Sequence, residues 1–330
     1  MQHFLTIRPG RTGRPLALAA VLALGLTLTA CGGSSDDGAG ASGDGDDATT
    51  SMSVGYFPLV HTASAVNAAE HGLFADEGLE VELTPTAGGA QAIPALVAGE
   101  FDIAYGNYTS AFLAAQQGLP LRLVAGNDVG GDDHSLLVAG NSPLQGPADL
   151  AGRRIAVNNL LNIGTVAINT LLEEAGVDPS SVTYVELPYP DMQAALERGD
   201  VDAIWQVEPF QASALAGGNR IVLPMFAGPT EGMPVAGWIT TEQFVQENPE
   251  AVEAFQRALD ASMTELQDDR ARLVELVPTY TQVPAEVVEQ VAMPTWSAEL
   301  DTQRLQDIAD LMLEYELIDE EFDVSTITGG

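Results

Sequence analysis

Residues able to bind a small molecule are concentrated in loops that follow predicted strands. Amide, carboxylate and hydroxyl groups there can form hydrogen bonds, and aromatic rings can stack on a ligand. Ligands of open α/β sheets bind at the carboxyl ends of strands, beside helix N-termini with free N–H groups. We therefore predict a ligand site drawn from fourteen residues: Tyr56, His61, Gly88, Gly89, Asn107, Tyr108, Thr109, Asn159, Asn162, Gly164, Thr165, Tyr189, Asp191 and Glu208.

Two of these loops contain glycine next to a predicted helix and could hold an oxyanion. Gly88 and Gly89 precede a helix predicted to begin near residue 90, and glycine lets the backbone approach a ligand closely. Gly164 and Thr165 open another helix with a hydroxyl that can cap it. Ordinary helix capping is the alternative interpretation of both turns.

Polar side chains in the remaining loops have two possible uses. Asn107, Asn159 and Asn162 offer donors and acceptors, although turns also favour asparagine. Asp191 follows a proline at a helix start, so we expect it to cap that helix. Glu208 precedes a proline at another strand-to-helix turn, so it too can cap its helix, or its carboxylate can accept hydrogen bonds from an amine or a ring N–H of a ligand.

Aromatic residues fall into two groups. Tyr56, Tyr108 and Tyr189 lie in loops and could stack on a flat organic ligand. Tyr105 and Trp205 end predicted strands, and we expect them to pack in the core.

Metal and cofactor binding are not predicted. A metal site would need His61 and His134 to converge with a carboxylate, and no short-range ligand spacing supports that. No arginine falls in the candidate loops, so a bare divalent anion would lack a countercharge.

The composition argues against an enzyme. Cys31 is the single cysteine, and all 12 basic residues are arginine, which removes mechanisms built on a lysine Schiff base or a thiol in the folded body. Neither a Gly-x-Ser-x-Gly motif nor a phosphate-loop lysine occurs.

The elements that must position these loops alternate between strands and helices. Strands are predicted at 52–57, 79–83, 101–105, 121–125 and 134–139, with helices at 62–71, 90–98 and 109–117. The pattern then restarts, with strands at 154–158, 182–187, 201–205 and 220–225 and helices at 165–175, 192–198 and 209–216. A strand at 235–240 and a helical tail over 241–319 follow. This order predicts two doubly wound α/β lobes.

An internal echo supports a duplication of the lobes. Residues 95–105 and 195–205 share four identities in eleven positions, and the pattern of each segment predicts a helix end, a glycine cap and a buried strand.

The N-terminal segment predicts export and lipid anchoring. Arg8, Arg11 and Arg14 precede an apolar run at 16–28, which is too short to span a bilayer and typical of a signal peptide over 1–30. The run closes on Leu-Thr-Ala-Cys, which resembles the bacterial lipobox, so Cys31 is the expected lipidation site and mature N-terminus. Residues 31–51 are rich in Gly, Ser and Asp and predict a flexible linker.

The charge excludes some partners. All 47 acidic residues follow Cys31, and nine arginines remain after the signal peptide, so the mature charge is about −38. This field repels nucleic acid and anionic lipid headgroups. We expect no nucleic-acid partner and membrane contact through the lipid anchor alone.

Several segments together resemble the nitrate, sulfonate, taurine and thiamine-precursor group of ABC-transporter solute-binding proteins. They are Val54-Gly55-Tyr56-Phe57-Pro58, residues 71–81, Asn141-Ser142-Pro143-Leu144, residues 149–157 and Val207-Glu208-Pro209-Phe210. The resemblance implies a type II periplasmic-binding fold with two crossover strands and a ligand in the cleft. It also places the turn of Glu208 in that cleft, so we favour a ligand role for this carboxylate. It places lobe one at 52–139 plus 236–330, where the helical tail packs, and lobe two at 140–235.

The family also implies partners: a small solute and the permease and ATPase of an importer, with the binding protein itself a monomer. A ligand sensor is one alternative. A thiamine-precursor-synthase-like enzyme is another, although its lysine and cysteine-rich motif are absent. Among solutes, the loop tyrosines favour a small aromatic or heteroaromatic molecule, then an alkanesulfonate or taurine, then nitrate or bicarbonate.

Overall fold

Residues 49–328 are described by the computed structural model, and they form eleven strands and thirteen α-helices. The predicted signal peptide, Cys31 and linker residues 32–48 lie outside the described residues. The strands are β1 (Thr50–Tyr56), β2 (Leu79–Pro85), β3 (Ile103–Asn107), β4 (Leu121–Val129), β5 (His134–Val138), β6 (Arg154–Val157), β7 (Thr183–Glu186), β8 (Ala203–Val207), β9 (Arg220–Pro224), β10 (Pro234–Thr241) and β11 (Thr295–Trp296).

The helices cover both faces of the sheets and most of the C-terminal part. They are α1 (Ala63–Glu70), α2 (Leu73–Asp76), α3 (Gly89–Val97), α4 (Tyr108–Gln116), α5 (Ile163–Glu174), α6 (Tyr189–Arg198), α7 (Phe210–Ala216), α8 (Glu242–Glu247), α9 (Pro249–Leu266), α10 (Arg270–Tyr280), α11 (Ala285–Val288), α12 (Thr302–Glu314) and α13 (Ser325–Thr328). Among the described residues, no helix is long and apolar enough to cross a membrane.

The strands form two sheets, which confirms the predicted two-lobed α/β fold. The first has the order β11–β4–β10–β3–β1–β2, and the second has the order β7–β6–β8–β5–β9. The parallel βαβ pairs form one end of each sheet: β3–β1–β2 in the first and β7–β6–β8 in the second. The antiparallel strands β10 and β5 are those that the chain reaches by crossing from the other lobe.

Two crossovers join the lobes. The chain leaves the first sheet between β4 and β5 and returns between β9 and β10, and the two segments are tied by a bond from Gly130 N–H to Met233 O at 2.8 Å. The expected boundary at residue 139 placed β5 in lobe one. The structure instead pairs β5 with β8 and β9, so the first crossing precedes His134. The linker expected through residue 51 also ends earlier, because Thr50 and Ser51 pair with β2.

The repeated segments 95–105 and 195–205 form the same local structure in both lobes, which is a glycine at a helix end followed by an aspartate that binds a neighbouring strand. Gly99 and Gly199 end their helices with positive φ angles of 78° and 73°, which favour glycine. Three residues later, the Asp102 carboxylate accepts from Ser53 N–H at 2.7 Å. The Asp202 carboxylate likewise accepts from Arg154 N–H at 2.9 Å. Each aspartate therefore fixes the start of one strand to its parallel neighbour.

The C-terminal helices pack on lobe one and also reach lobe two. Helix α9 lies against α1 and α2, whereas α12 touches α4 of lobe one and α5 of lobe two. After α12, the Tyr315 hydroxyl is 3.2 Å from Thr170 Oγ1 and 3.0 Å from Glu173 Oε2. The C-terminal part thus packs on lobe one and also connects it to lobe two.

Packing fixes one glycine in the first turn of α5. A Cβ atom on Gly164 would lie 2.2 Å from the indole of Trp205. We expect Gly164→Ala to lower the free energy of unfolding by about 2–3 kcal/mol, despite the better helix propensity of alanine, because overpacking a rigid core forces side chains off their rotamers. Chemical denaturation of the full-length protein measures this.

Gly146→Ala is the matched control, because a Cβ there meets no atom within 4 Å and the backbone is extended. Equal unfolding free energies for the two variants would contradict the described packing of Trp205.

Candidate ligand-binding cleft

A cavity of about 40 Å³ lies where the two sheets face each other. Loops at the strand ends of both lobes line it: Phe57, Leu59, His61, Gly88, Gly89, Tyr105, Asn107, His134, Asn158, Ile163, Tyr189, Trp205, Val207, Val235 and Ala236. A space of this size holds on the order of three water molecules. The lobes are therefore closed on each other in this structure.

Aromatic rings from both lobes form the walls of the cavity. Phe57 of lobe one stacks on Tyr189 of lobe two, with ring centroids 6.1 Å apart and planes 22° apart. Tyr189 also meets Trp205 edge to face at 5.7 Å. The indole Nε1 of Trp205 is buried without a hydrogen-bond partner, which leaves a donor for a ligand.

The N-terminus of α3 enters the cavity from lobe one. No side chain caps this helix, and its N-cap residue Gly88 has a φ of 106°, which favours glycine. Gly89 packs against β3, where an added Cβ would lie 3.1 Å from Gly106 Cα. Both glycines are thus required by backbone geometry, and the uncapped N–H groups suit an anionic group.

A buried polar cluster forms part of the cavity wall through His61 and His134, with Asp133 behind them. His61 Nε2 is 2.7 Å from Asp133 Oδ2, and His134 Nε2 is 3.8 Å from the same oxygen. All three residues are at most 2% exposed. Trp296 Nε1 and Asn127 Nδ2 donate to the backbone oxygen of His61 at 2.7 and 3.1 Å, which fixes the position of this residue. His61 and His134 thus converge with a carboxylate, which the sequence analysis did not predict.

Burial and neighbouring charges shift the pKa values of the residues in this cluster. Burial disfavours a charged His61, but Asp128 and the hydrogen bond with Asp133 outweigh it and raise the pKa of His61 to about 9. Burial lowers the pKa of His134 to about 3 and raises the pKa of Asp128. Burial would raise the pKa of Asp133, but His134 and His61 outweigh it and lower that pKa. At neutral pH, an ion pair of His61 and Asp133 lies beside a neutral His134.

Five of the fourteen predicted residues line the cavity: His61, Gly88, Gly89, Asn107 and Tyr189. Asn107 also caps α4, because its Oδ1 accepts from Ser110 N–H at 2.9 Å. Its amide nitrogen remains the group that can face a ligand.

Local capping accounts for four predicted residues that do not line the cavity. Asn162 Oδ1 accepts from Gly164 N–H at 3.0 Å, and Thr165 Oγ1 donates to Leu160 O at 2.8 Å. Thr109 donates to Asn107 in the same manner. Their polar groups are used by their own turns, as the alternative interpretation of these loops stated.

The remaining predicted residues are either packed or turned to solvent. Tyr56 lies edge to face against Tyr280, and the Tyr108 ring covers Gly237. Asp191 is exposed, and Asn159 accepts from Leu161 N–H in its own turn. None of these residues lines the cavity.

Glu208 lies outside the cavity lining and joins the lobes. Its carboxylate accepts from Ala212 N–H at 3.0 Å, from Gln211 Nε2 at 3.1 Å and from Ala292 N–H at 3.1 Å. Ala292 belongs to the C-terminal part that follows α11, so this carboxylate fastens lobe two to the tail. A ligand role was expected instead, and the three local donors are the physical reason for the difference.

Sequence reasoning missed Tyr105 and Trp205 as lining residues. Both are buried, at 4% and 2% exposure, yet both line the cavity. They occupy equivalent positions in the echo of 95–105 and 195–205, and that equivalence was a signal that could have identified them.

Residues 60–270 match the family model described as NMT1/THI5 like. The chain belongs to the NMT1/THI5-like family. Because this model covers more than half of the chain, the predicted family is confirmed.

Relatives of this NMT1/THI5-like protein are binding proteins. The taurine-binding periplasmic protein of Escherichia coli strain K12 is 29% identical over 190 residues, which cover 56% of this chain and 58% of that protein. The match thus spans less than two thirds of that relative. The riboflavin-binding protein RibY of Chloroflexus aurantiacus is 26% identical over 278 residues, which cover 76% of this chain and 74% of that protein.

A solved structure confirms the fold. The alkanesulfonate-binding protein SsuA of Xanthomonas axonopodis pv. citri, bound to MOPS, superposes with a TM-score of 0.73 at 22% identity, and covers 84% of this chain and 98% of that one. The prediction that the NMT1/THI5-like chain is not an enzyme is confirmed by these relatives, which are binding proteins.

Glu208 predicts a pH dependence of stability. Burial raises its pKa to about 7. A carboxyl whose folded pKa is raised contributes stability below its unfolded pKa, and this is lost as pH rises through the folded value. We expect the unfolding free energy of the wild type, relative to Glu208→Gln, to fall by about 3 kcal/mol between pH 4.5 and 7.5. Denaturant titrations of both proteins across this range measure it.

The difference between the two proteins isolates Glu208, since Asp128 and the other buried acids are common to both. A difference that is flat with pH would show that the three donors keep Glu208 ionised.

Proposed function

We propose that this protein captures a small organic solute in the cleft and delivers it to the permease and ATPase of an ABC importer. The observation that carries the proposal is the aromatic cavity built from both lobes, with Phe57 and Tyr189 on opposite sides. A ligand held by two lobes couples its own binding to their closure. The names of the relatives support the same class of function.

The chemistry of the lining favours an aromatic or heteroaromatic solute that carries an acidic group. Rings of Phe57, Tyr189 and Trp205 provide flat apolar surface, and Trp205 Nε1 provides a donor. The N-terminus of α3 and the Asn107 amide suit a sulfonate or carboxylate. A sulfonated aliphatic solute is the second choice.

The size of the cavity requires movement of the lobes. Ligand sites that hold organic molecules have volumes of roughly 300–1,000 Å³, against about 40 Å³ here. The crossovers at 130–133 and 225–233 are the segments that connect the lobes and about which they would open. We infer an open form that admits the solute and a closed form that buries it.

The location follows from the N-terminal sequence. We infer that the signal peptide over 1–30 is removed, that Cys31 is lipidated, and that the linker holds a monomeric body outside the cytoplasmic membrane.

A panel of solutes tests the proposed capture. The full-length protein is heated with aromatic carboxylates, thiamine precursors, nucleobases, sulfonates, taurine and nitrate. A solute at 100 times its Kd adds roughly 2.7 kcal/mol of stability, so we expect a saturable rise in Tm confined to one class. Intact, folded protein that gains no stability from any compound contradicts solute capture as proposed.

Phe57→Ala tests where that solute binds. Loss of one stacked ring is expected to weaken binding about tenfold, since aromatic pairs contribute about 0.5–1.5 kcal/mol beyond their buried area. Phe322→Ala is the matched control, because Phe322 is also half-buried but packs on Phe112, away from the cavity. An equal loss of affinity in both variants would place the solute elsewhere.

Lipid anchoring has its own test. In the cells that produce the full-length protein, we expect it to sediment with membranes, and Cys31→Ala to remove the acylation site and release the protein or leave the precursor unprocessed. Mass spectrometry of the mature N-terminus and membrane fractionation measure both. Wild-type protein that is found without an acyl group contradicts the lipobox interpretation.

A further inference from the structure

We propose that His61, Asp133 and His134 bind a divalent transition-metal ion of the zinc class at the wall of the cleft. The three side chains offer two imidazole nitrogens and one carboxylate oxygen, and these atoms all lie within 4.8 Å of one another. This donor set suits zinc and neighbouring borderline ions, and it does not suit magnesium or calcium, which need more oxygen ligands. The inference does not rest on the proposed solute.

Distances within the trio are close to those of a metal site. Tetrahedral zinc with bonds of about 2.1 Å separates its ligand atoms by about 3.4 Å. Asp133 Oδ2 is 2.7 Å from His61 Nε2 and 3.8 Å from His134 Nε2. The first pair would have to separate by about 0.7 Å and the second to approach by about 0.4 Å to reach the separation of these two pairs in a zinc site.

Unpartnered atoms in the trio point to a missing ligand. Both ring nitrogens of His134 are buried without a hydrogen bond, and so are His61 Nδ1 and Asp133 Oδ1. His134 is 2% exposed and is enclosed by the rings of His61, Trp205 and Phe226. Buried polar atoms rarely stay unpaired, because each costs free energy. A metal ion bound to one ring nitrogen gives His134 a partner.

An ion pair between His61 and Asp133 alone is the competing account. It satisfies Asp133 Oδ2 and His61 Nε2 but leaves His134 without any partner. The two accounts differ in one measurable respect, which is whether His134 takes part in binding an ion.

The position of the trio gives the ion an open coordination site. His61 and His134 both line the cavity, so a fourth ligand would come from water or from a molecule in the cleft. His61 lies in the 3₁₀-helix Val60–Thr62 of lobe one, and His134 begins β5 in lobe two. The ion would therefore bind residues of both lobes.

Metal titration of solute-free, full-length protein tests the site. The protein is treated with a chelator, dialysed and titrated with Zn²⁺ against a competing chromophore, and with Co²⁺ while its visible absorption is recorded. We expect one ion per chain and the intense Co²⁺ bands of a four-coordinate site. His134→Gln and Asp133→Asn should each weaken Zn²⁺ binding at least 100-fold. Mg²⁺ and Ca²⁺ should not compete.

His71→Ala is the control, since His71 is exposed and lies outside the trio; it should bind Zn²⁺ as the wild type does. Circular dichroism of each metal-free variant verifies folding. Should both trio variants fail to fold, X-ray absorption of the wild-type Zn²⁺ complex decides, with two imidazole ligands expected. Absence of tight binding to wild type, unchanged binding in His134→Gln, or a spectrum without imidazole would each overturn the site. Because no solute is present, such a failure leaves the solute panel unaffected.

Discussion

The hydrogen bond of 2.7 Å between His61 and Asp133 is the contact on which the arrangement of the lobes depends. Asp133 is fully buried in the first crossover, where an unpaired carboxylate would be costly. Its side chain accepts the hydrogen bond from His61 of lobe one. Its backbone oxygen accepts from Glu208 N–H of lobe two at 3.1 Å. The backbone oxygen of Glu208 in turn accepts from Val60 N–H at 3.3 Å. One acidic residue is thereby linked to both sides of the cleft.

The aromatic walls are a consequence of that junction. With His61 held against Asp133, the loop that carries Phe57 meets the loop that carries Tyr189, and their rings stack. Trp205 completes the wall because Gly164 leaves space for its indole. The acidic groups lie behind these rings and not among them, since Asp128, Asp133 and Glu208 do not line the cavity, whereas the protonated His61 does. A ligand would meet apolar surface, neutral donors and the His61 ring.

Periodicity was enough to predict the fold, whereas the site was predicted only in part. Strand ends located His61, Gly88, Asn107 and Tyr189, because backbone topology alone decides which loops meet. Thr165 was misjudged because a hydroxyl next to a helix start finds a partner within its own turn. Asp133 carried no signal in the sequence. Its role arises from a contact with His61, which lies 72 positions earlier in the chain, and no local sequence pattern indicates such a contact.

The C-terminal bridge has a mechanical consequence. Helix α12 lies on both α4 and α5, and Tyr315 at its end contacts Thr170 and Glu173 of lobe two. Arg304, near its start, reaches the backbone oxygens of Glu231 and Gly232 in the returning crossover. Opening of the lobes about the two crossovers therefore involves a third connection, which α12 and Tyr315 provide. The contacts of Tyr315 with lobe two would have to break or move with that lobe before the cleft could open.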